Sequence, residues 1–327
     1  MIENKQEVPI LQTKSLTKYF KTQKGELHAV DHVDLSITPK KTLGVVGESG
    51  CGKSTLGRTI LKLIEPTDGE IIYNGQHIEK FSNNEMREMR RKMQIIFQDP
   101  YASLNPRKPV KELIADPLKV YGFKKDEREN IIYDIMKTVG LAERFAQSYP
   151  HELDGGRRQR IGIARALVLK PEFIVCDEPV SALDVSIQAQ ILNLLMDLQE
   201  SHGLTYMFIT HDLSVVRHIS DEIMVMYLGV VVEKASSKEL FSNPLHPYTK
   251  ELIKAIPIPD LKPEHRLVNS LRGEVSNPIE PPARCRFAPR CNYCTNSCLN
   301  KNPKLQDMGN NHFVACTLYE PELSKLQ

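Results

Sequence analysis

The stretch GESGCGKST, residues 47–55, decides the fold of this 327-residue chain. It matches the pattern G-x-x-x-x-G-K-[ST]. The apolar segment TLGVV (42–46) before it predicts a strand, and TLGRTILKLI (55–64), which overlaps its end, has the apolar spacing of a helix. The glycines let backbone N–H groups curl around phosphate oxygens, and a helix N-terminus adds positive partial charge. The stretch therefore predicts a strand, a phosphate-binding loop and a helix.

A nucleoside triphosphate with Mg²⁺ is the predicted ligand of this loop. Lys53 is placed to reach the β- and γ-phosphates, and Ser54 to bind the magnesium ion. The alternative is a glycine-rich turn without a ligand, but packing gives no reason for a Lys-Ser pair at that spacing. The predicted nucleotide-contacting residues of the loop are Gly47, Ser49, Gly50, Cys51, Gly52, Lys53, Ser54 and Thr55.

Composition and charge exclude several functional classes. The formal net charge is +2, from 43 basic and 41 acidic residues that are interspersed, which argues against a nucleic-acid surface. The polar N-terminus lacks the layout of a signal peptide, so export is not expected. The longest apolar run, residues 223–232, is too short to span a bilayer and contains Gly229. It predicts a hairpin of two buried strands in a soluble chain.

The remaining pattern predicts an α/β fold with a mostly parallel sheet. Polar and apolar residues alternate over the first 45 residues, as in half-buried strands, and later strands alternate with helical segments. Residues 111–170 look helical and form an insertion before the strand FIVCDE. From about Pro257 the sequence is rich in proline and polar residues, which predicts an appended, irregular tail.

Several polar residues follow predicted strands, where the loops of an open α/β sheet meet a ligand. Asp177 in FIVCDEP could hold magnesium through water, and Glu178 could take a proton from an attacking water. Gln98 in IIFQDP and His211 in FITHD have the same placement. The alternatives are that the acids cap the next helix and that the histidine is structural.

These motifs, in the order GESGCGKST, IIFQDP, LDGGRRQR, FIVCDEP, SALD and FITHD, resemble the ATP-binding subunits of ABC transporters over roughly residues 8–255. The segment NPLHPYTKELIKAIP with the cysteine-bearing tail is similar to the ATPases of oligopeptide and dipeptide importers, and the LTKYF start favours the second, F-type subunit. The resemblance implies an ABC-type ATPase domain at 1–257, with an N-terminal antiparallel β subdomain and a helical subdomain at about 100–170. It implies an importer-type, Cys-rich extension at 258–327.

The same resemblance implies residue roles. Phe20 would stack on adenine, with Tyr19 as the weaker candidate; otherwise Phe20 is a half-buried strand residue. Gln98 would link magnesium to the helical subdomain, Asp184 would lie at the dimer contact, and His211 would contact the γ-phosphate. The family's ATPases pair head to tail, so each ATP lies between one subunit's phosphate loop and the partner's signature sequence.

The chain departs from the family at that signature, which reads Leu-Ser-Gly-Gly-Gln in the family. The residues here are Leu153, Asp154, Gly155, Gly156 and Arg157. An ionised Asp154 has no donor for the partner's phosphate, and a like charge near 4 Å costs about 4 kcal/mol at an effective dielectric constant of roughly 20. Arg157 could offset this by pairing with Asp154 or by reaching the phosphate, and Asp154 could simply cap a helix. We expect an asymmetric ATPase heterodimer in which the partner's ATP site is weakened.

Five of the seven cysteines crowd the tail, which suggests a metal before disulfides. By resemblance, Cys285, Cys291, Cys298 and Cys316 would hold a four-iron four-sulfur cluster, with Cys294 as a bystander. Zinc, and cysteines that are unmetallated or disulfide-bonded, remain alternatives.

The resemblance further implies two permease subunits, a second ATPase and an external substrate-binding protein as partners. It places the chain peripherally at the cytoplasmic face of the cell membrane, with peptides or nickel and other metal complexes as cargo. The rival functions are a weakly hydrolysing regulatory subunit and a non-transport ATPase clamp, although neither a second phosphate loop nor extended heptads occur.

Overall fold

The computed structural model describes residues 8–256 and 278–320, which divide into two compact units. The first unit comprises residues 8–10, 37–41 and 80–209, and the second comprises residues 11–36, 42–79, 210–256 and 278–320. The strands are β1 (Leu11–Thr22), β2 (Gly25–Ile37), β3 (Thr42–Val46), β4 (Asp68–Tyr73), β5 (Gln76–His77), β6 (Met93–Ile96), β7 (Phe173–Asp177), β8 (Thr205–Ile209), β9 (Glu222–Tyr227), β10 (Val230–Ser236), β11 (Gln306–Asp307) and β12 (Phe313–Val314).

The helices include the segments predicted from apolar spacing. They are α1 (Lys53–Ile60), α2 (Asn83–Lys92), α3 (Pro100–Ser103), α4 (Val110–Val120), α5 (Lys125–Thr138), α6 (Gly155–Leu167), α7 (Val185–His202), α8 (Leu213–Ile219), α9 (Ser237–Ser242), α10 (Pro247–Lys254) and α11 (Asn296–Asn300). The predicted strands TLGVV and FIVCDE are confirmed by β3 and β7, and those expected before Gln98 and His211 are confirmed by β6 and β8.

In the first unit, β6, β7 and β8 are parallel neighbours. Met93 pairs with Phe173, and Phe173 pairs with Thr205. Every residue of β7 and β8 is buried, which explains why these strands read as unbroken apolar runs rather than alternating ones. The parallel arrangement brings the carboxyl ends of β6 and β7 to one edge, where Gln98, Asp177 and Glu178 follow.

Along the chain, helices α4, α5 and α6 lie between β6 and β7. The prediction of a helical insertion over residues 111–170 is therefore confirmed. Helix α6 packs against α4, α5, α7 and β6. Its buried face includes Ile161, Ile163 and Leu167. The α6 N-terminus, which carries the signature, is thus held by the core of this unit.

In the second unit, β1 lies between β2 and β4 in an antiparallel sheet, with Leu11 paired to Tyr73. A separate group of strands contains β3, which pairs in parallel with β9, and the β9–β10 hairpin. That hairpin turns at Leu228 and Gly229, which both have positive φ (44° and 86°), as a two-residue turn of this kind requires. The predicted hairpin at residues 223–232 is confirmed.

Residues 278–320, the described part of the predicted C-terminal extension, belong to the second unit and form short elements. Strand β12 pairs antiparallel with β10, with Val314 opposite Glu233. Glu233 is fully buried and accepts hydrogen bonds from the Leu245 and His246 N–H groups (2.7 and 2.9 Å) and pairs with His312 (2.7 Å). The predicted boundary at 257/258 and the proline-rich stretch after it lie outside the described residues.

Across residues 8–256 and 278–320, no helix combines the length and the apolar character needed to cross a membrane.

Candidate nucleotide site

The phosphate loop lies between β3 and α1, as the sequence predicted. Gly47, Gly50 and Gly52 all have positive φ, of 154°, 78° and 104°. A Cβ atom on Gly47 would lie 2.2 Å from the Met226 carbonyl oxygen, and one on Gly52 would lie 1.9 Å from the Ala29 carbonyl oxygen. Glycine at 47 and 52 is therefore required by both backbone conformation and close backbone approach.

Lys53 lies at the first position of α1 with its ammonium group inside the loop. Its Nζ donates hydrogen bonds to the carbonyl oxygens of Gly47 (2.8 Å) and Glu48 (2.9 Å). The residue is only 4% exposed, and the buried Cys51 thiol lies 3.8 Å from Nζ. Burial raises the pKa of Cys51, although Lys53 counteracts it, so the thiol is neutral at pH 7. The loop thus surrounds one fixed positive charge at a helix N-terminus.

Tyr19 and Phe20, the predicted adenine-stacking candidates, differ in their surroundings on β1. The Tyr19 hydroxyl donates to Asp31 Oδ1 at 2.5 Å, and its ring stacks on His28 with centroids 3.8 Å apart. Phe20 is partly exposed, with the Lys18 ammonium 4.9 Å from its ring centroid. A ring face and the hydroxyl of Tyr19 therefore already have partners in the protein, and stacking of Phe20 on adenine stays a prediction.

The groups around Asp31 keep its carboxyl group ionised. Burial alone would raise the pKa of Asp31, but hydrogen bonds from Tyr19 and His32 and the charge of Arg286 lower it to about 2. Arg286, from the C-terminal extension, is ion-paired with Asp31 and donates to the Leu228 carbonyl. Strand β1, which carries Phe20, is therefore linked through Tyr19 to the ion pair of Asp31 and Arg286.

Glu178, Gln98 and Asp177 come together in the first unit. Gln98 Nε2 donates to Glu178 Oε2 at 3.1 Å, and the Glu178 N–H donates to the Ile209 carbonyl at 2.9 Å. Asp177 is 1% exposed at the end of β7. Glu178 has φ of 47°, an unusual value for a residue with a side chain, and such strain clusters at functional sites. The backbone thereby directs one acid into the protein and leaves the other partly exposed.

His211 belongs to the second unit, as does the phosphate loop. It is an exposed residue two positions after the end of β8, and Asp212 after it caps α8 through the Ser214 N–H (2.8 Å). The prediction that His211 follows a strand end is confirmed, while its contact with a γ-phosphate stays a prediction.

The signature lies at the start of α6, and Asp154 is its N-cap. The carboxylate accepts the Arg157 N–H at 2.8 Å and forms an ion pair with the Arg157 guanidinium. That guanidinium also lies over the Phe145 ring, 4.9 Å from its centroid. A Cβ on Gly156 would meet Ile187 at 2.7 Å, so this glycine allows α6 and α7 to pack closely. The alternative that Asp154 caps the helix is confirmed, and of the two alternatives for Arg157 the structure shows the pairing with Asp154.

Asp184, the predicted dimer contact, caps α7. Its Oδ1 accepts the Ile187 N–H at 3.0 Å and the Ser186 hydroxyl at 2.8 Å. These bonds, with the backbone N–H first, lower the pKa of Asp184, so it is ionised at neutral pH. The residue is exposed, and its role at a dimer contact stays a prediction.

All seven cysteines lie within the described residues and are free thiols. Burial raises the pKa of Cys285 to about 11 and that of Cys316 to about 12, and nearby cysteines, among them Cys291 and Cys298, contribute further. The Cys298 sulfur lies 3.0 Å from the Thr317 hydroxyl, and Cys294 is exposed. Within residues 8–256 and 278–320, however, no three His, Cys, Asp or Glu side chains are grouped so that they could hold a metal ion. Neither the iron–sulfur cluster nor the zinc alternative receives support from this geometry.

The hydrogen bonds that position Glu48 were not predicted from the sequence. The Glu48 N–H donates to the Tyr248 hydroxyl at 2.9 Å, and its carboxylate forms two hydrogen bonds with Arg290 of the extension. Tyr248 lies in the importer-like segment HPYTKE, but no local pattern connects Arg290 with a residue 242 positions away.

Comparison with known proteins agrees with this geometry. Residues 30–181 match the family described as "ABC transporter", and residues 232–298 match the family described as "Oligopeptide/dipeptide transporter, C-terminal region". The chain is 48% identical over 316 residues to the putative oligopeptide transport ATP-binding protein YkfD of Bacillus subtilis, covering 95% of this chain and 96% of that relative. It is 50% identical over 293 residues to the oligopeptide transport ATP-binding protein OppF of Haemophilus influenzae, covering 89% and 88%.

Solved structures show the same fold. A dimeric ATP-binding cassette, MJ0796, bound to ADP and Pi is 32% identical, with a TM-score of 0.64, over 69% of this chain and 98% of that chain. CbiO1 from Clostridium perfringens, part of the ABC transporter complex CbiONQ, is 27% identical, with a TM-score of 0.65, over 72% and 92%. The fold is the ABC ATPase cassette with mixed α/β sheets, and the chain is an ATPase. It belongs to the family of ATP-binding subunits of oligopeptide and dipeptide ABC transporters.

Proposed function

We propose that this chain powers the import of peptides across a membrane by hydrolysing ATP as one half of an ATPase heterodimer. The observation that carries the proposal is the joint presence of a phosphate loop closed around Lys53 and a match to the oligopeptide transporter C-terminal region. The named relatives are oligopeptide transport proteins, which supports peptides as the cargo. A nickel or other metal-complex importer is the alternative.

We infer the roles of the site residues from the family resemblance and from their positions in the chain. Lys53 binds the β- and γ-phosphates, exchanging the carbonyl oxygens of Gly47 and Glu48 for phosphate oxygens. Phe20 stacks on adenine. Mg²⁺, which neutralises phosphate charge, would be held by Ser54, Gln98 and Asp177, and oxygen ligands of these types suit it.

Glu178 acts as the general base that accepts a proton from the attacking water. The 3.1 Å hydrogen bond from Gln98 holds one of its carboxylate oxygens, which limits the side chain to few orientations. His211 donates to the γ-phosphate. Positioned base catalysis of this kind contributes about 10² to 10⁴ in rate.

The signature, residues 153–157, serves the ATP bound by the partner ATPase, and its acid weakens that site. Asp154 occupies the N-cap, the position from which a serine hydroxyl would donate to phosphate. Its ion pair with Arg157 reduces the repulsion expected for a free carboxylate, yet it also occupies the guanidinium that could reach the phosphate. The heterodimer is therefore asymmetric: this chain's own nucleotide site is the competent one. A weakly hydrolysing regulatory subunit is the second candidate, supported by Asp154 alone.

Two membrane permease subunits receive the motion produced by ATP binding and hydrolysis. The helical subdomain, about residues 100–170, presses on them, and an external binding protein delivers the cargo. The chain lies peripherally on the cytoplasmic face of the membrane. Nucleic acid is not a partner, given the net charge of +2.

The cysteines of the extension are proposed to hold a four-iron four-sulfur cluster through Cys285, Cys291, Cys298 and Cys316. The proposal rests on the family resemblance of the cysteine spacing, because the described residues do not group these thiols around a metal position. Iron and sulfide analysis of anaerobically purified protein tests the assignment. Iron with visible absorption that survives Cys294→Ser but not Cys298→Ser is expected; stoichiometric zinc without iron would exclude the cluster.

The function is tested by reconstituting the chain with its partner ATPase, permeases and binding protein in proteoliposomes. ATP-dependent uptake of a labelled peptide is expected, and Glu178→Gln abolishes uptake while retaining ATP binding. Uptake of a nickel complex without peptide uptake would establish the alternative cargo.

A further inference from the structure

We propose that Arg290 of the C-terminal extension supports ATP binding by neutralising the Glu48 carboxylate of the phosphate loop, whose charge would otherwise repel the nucleotide phosphates. The inference rests on the proposed phosphate-loop site. It assigns to the extension an indirect part in nucleotide binding, through Glu48.

The contact between Arg290 and Glu48 is bidentate. Nη1 lies 2.7 Å from Glu48 Oε2, and Nη2 lies 3.0 Å from Glu48 Oε1. The Arg290 side chain is 4% exposed and that of Glu48 is 22% exposed, so solvent screens the pair only partly. Paired, planar hydrogen bonds of this kind fix the orientation of both groups. Arg290 therefore sets where the Glu48 carboxylate points.

The main chain of Glu48 is fixed by other groups. Its N–H donates to the Tyr248 hydroxyl at 2.9 Å, and its carbonyl accepts from Lys53 Nζ at 2.9 Å. The pKa of Tyr248 is raised by burial, so its hydroxyl keeps its proton. The same residue thus touches the phosphate-binding lysine through its carbonyl and the extension through its carboxylate.

An aromatic cluster supports the arginine. Tyr227 packs edge-on against Tyr248 and Phe287, with centroids 4.8 and 5.3 Å apart, and the Tyr227 hydroxyl lies 3.4 Å from Arg290 Nη1. Phe287 belongs to the extension, three residues before Arg290. The guanidinium is consequently held on a rigid, largely apolar platform.

The charge of Glu48 makes this pairing matter for nucleotide binding. A carboxylate on the loop that surrounds phosphate repels the ligand unless a cation neutralises it. One unit charge about 10 Å from a phosphate, at an effective dielectric constant of roughly 20, changes affinity by about tenfold. Lysine would supply the charge without the two-pronged geometry, so it replaces arginine only in part.

The alternative is that Arg290 only anchors the extension. Other contacts already do so: β12 pairs with β10, and Arg286 binds Asp31 and the Leu228 carbonyl. Loss of Arg290 therefore leaves the extension attached. The two explanations differ for a second change at Glu48, which removes the repelling charge but restores no anchor.

The experiment is equilibrium binding of a fluorescent ATP analogue to the full chain, with thermal unfolding of each variant as a check on folding. Arg290→Met is expected to weaken binding about tenfold and Arg290→Lys to weaken it less. Glu48→Gln alone does not weaken binding, and adding it to Arg290→Met restores affinity. Lys301→Met, which breaks the Lys301–Glu320 ion pair elsewhere in the extension, is the matched control and leaves affinity unchanged.

Unchanged affinity in Arg290→Met would overturn the inference. So would a folded double variant whose affinity stays as low as that of Arg290→Met, or a Glu48→Gln variant that binds as weakly. If Arg290→Met does not fold, Glu48→Gln alone still decides: with the Arg290 charge retained and the carboxylate removed, binding should tighten, whereas a purely anchoring Arg290 leaves affinity unchanged. Lys53→Ala separates failure of the Arg290 inference from failure of the proposed ATP site. If Lys53→Ala leaves ATP binding intact, the phosphate-loop site itself is wrong.

Discussion

Replacing Asp154 by serine tests the proposed asymmetry at its source. Aspartate and serine are about equally good N-cap residues, so Asp154→Ser preserves the start of α6. The lost ion pair with Arg157 joins side chains that are 54% and 44% exposed, and exposed pairs contribute about 0.2–1 kcal/mol. The free energy of unfolding should therefore fall by less than about 1 kcal/mol.

The same substitution should strengthen the heterodimer. A serine hydroxyl can donate to the partner's phosphate, and a hydrogen bond to a charged group is worth about 1.5 kcal/mol or more. That corresponds to roughly tenfold tighter ATP-dependent association. Arg157, released from its carboxylate, becomes available to the same phosphate.

The assay is sedimentation of this chain with its partner ATPase across ATP concentrations, followed by steady-state phosphate release. Asp154→Ser should tighten association and leave turnover equal or higher. Asp154→Ala, which lacks both cap and donor, is the control: it should lose about 1 kcal/mol of stability without the full gain in association. Weaker association or lower turnover in Asp154→Ser would refute the assignment of the weak site.

Three further predictions follow from local geometry. In denaturant titrations, Gly50→Ala should lower the free energy of unfolding by about 1–2 kcal/mol, because only its left-handed backbone conformation is strained. Gly52→Ala should lower it by clearly more, because its Cβ would also lie 1.9 Å from the Ala29 carbonyl oxygen. Burial lowers the pKa of His246 to about 3, so below pH 6.5 the unfolded chain binds a proton at this residue that the folded chain does not. The free energy of unfolding should therefore fall by about 2 kcal/mol between pH 7 and 5, and should fall less in His246→Asn. A thiol reagent should label the exposed Cys294 much faster than Cys51, which is 3% exposed, in peptide mapping.

Equal costs for the two alanine variants would mean that close backbone approach at Gly52 is unimportant. An unchanged pH slope in His246→Asn, which keeps an acceptor for the Tyr248 N–H, would remove that histidine as the cause. Labelling of Cys51 at the rate of Cys294 would show that the loop opens readily.

The local features of the site could be predicted from the sequence because each depends on neighbouring residues. The phosphate loop follows from glycine spacing, and the helix cap at Asp154 follows from residue type next to two glycines. The positive φ of Glu178 has no such signal, since it is imposed by packing around the end of β7.

The extension was less predictable for a physical reason. Its strand β12 has two residues, too few for any periodicity, and pairs with β10 about 80 residues earlier in the chain. The Arg290–Glu48 contact joins residues 242 positions apart. Such contacts are determined by tertiary packing, and a single sequence carries no pattern for them.

The most direct test of the proposed function is ATP hydrolysis by the reconstituted transporter in response to its cargo. A peptide-loaded binding protein should stimulate phosphate release, and Glu178→Gln in this chain should lower the stimulated rate by about 10² to 10⁴ while ATP binding persists. Phosphate release that peptide does not stimulate, or that continues undiminished in Glu178→Gln, would contradict it.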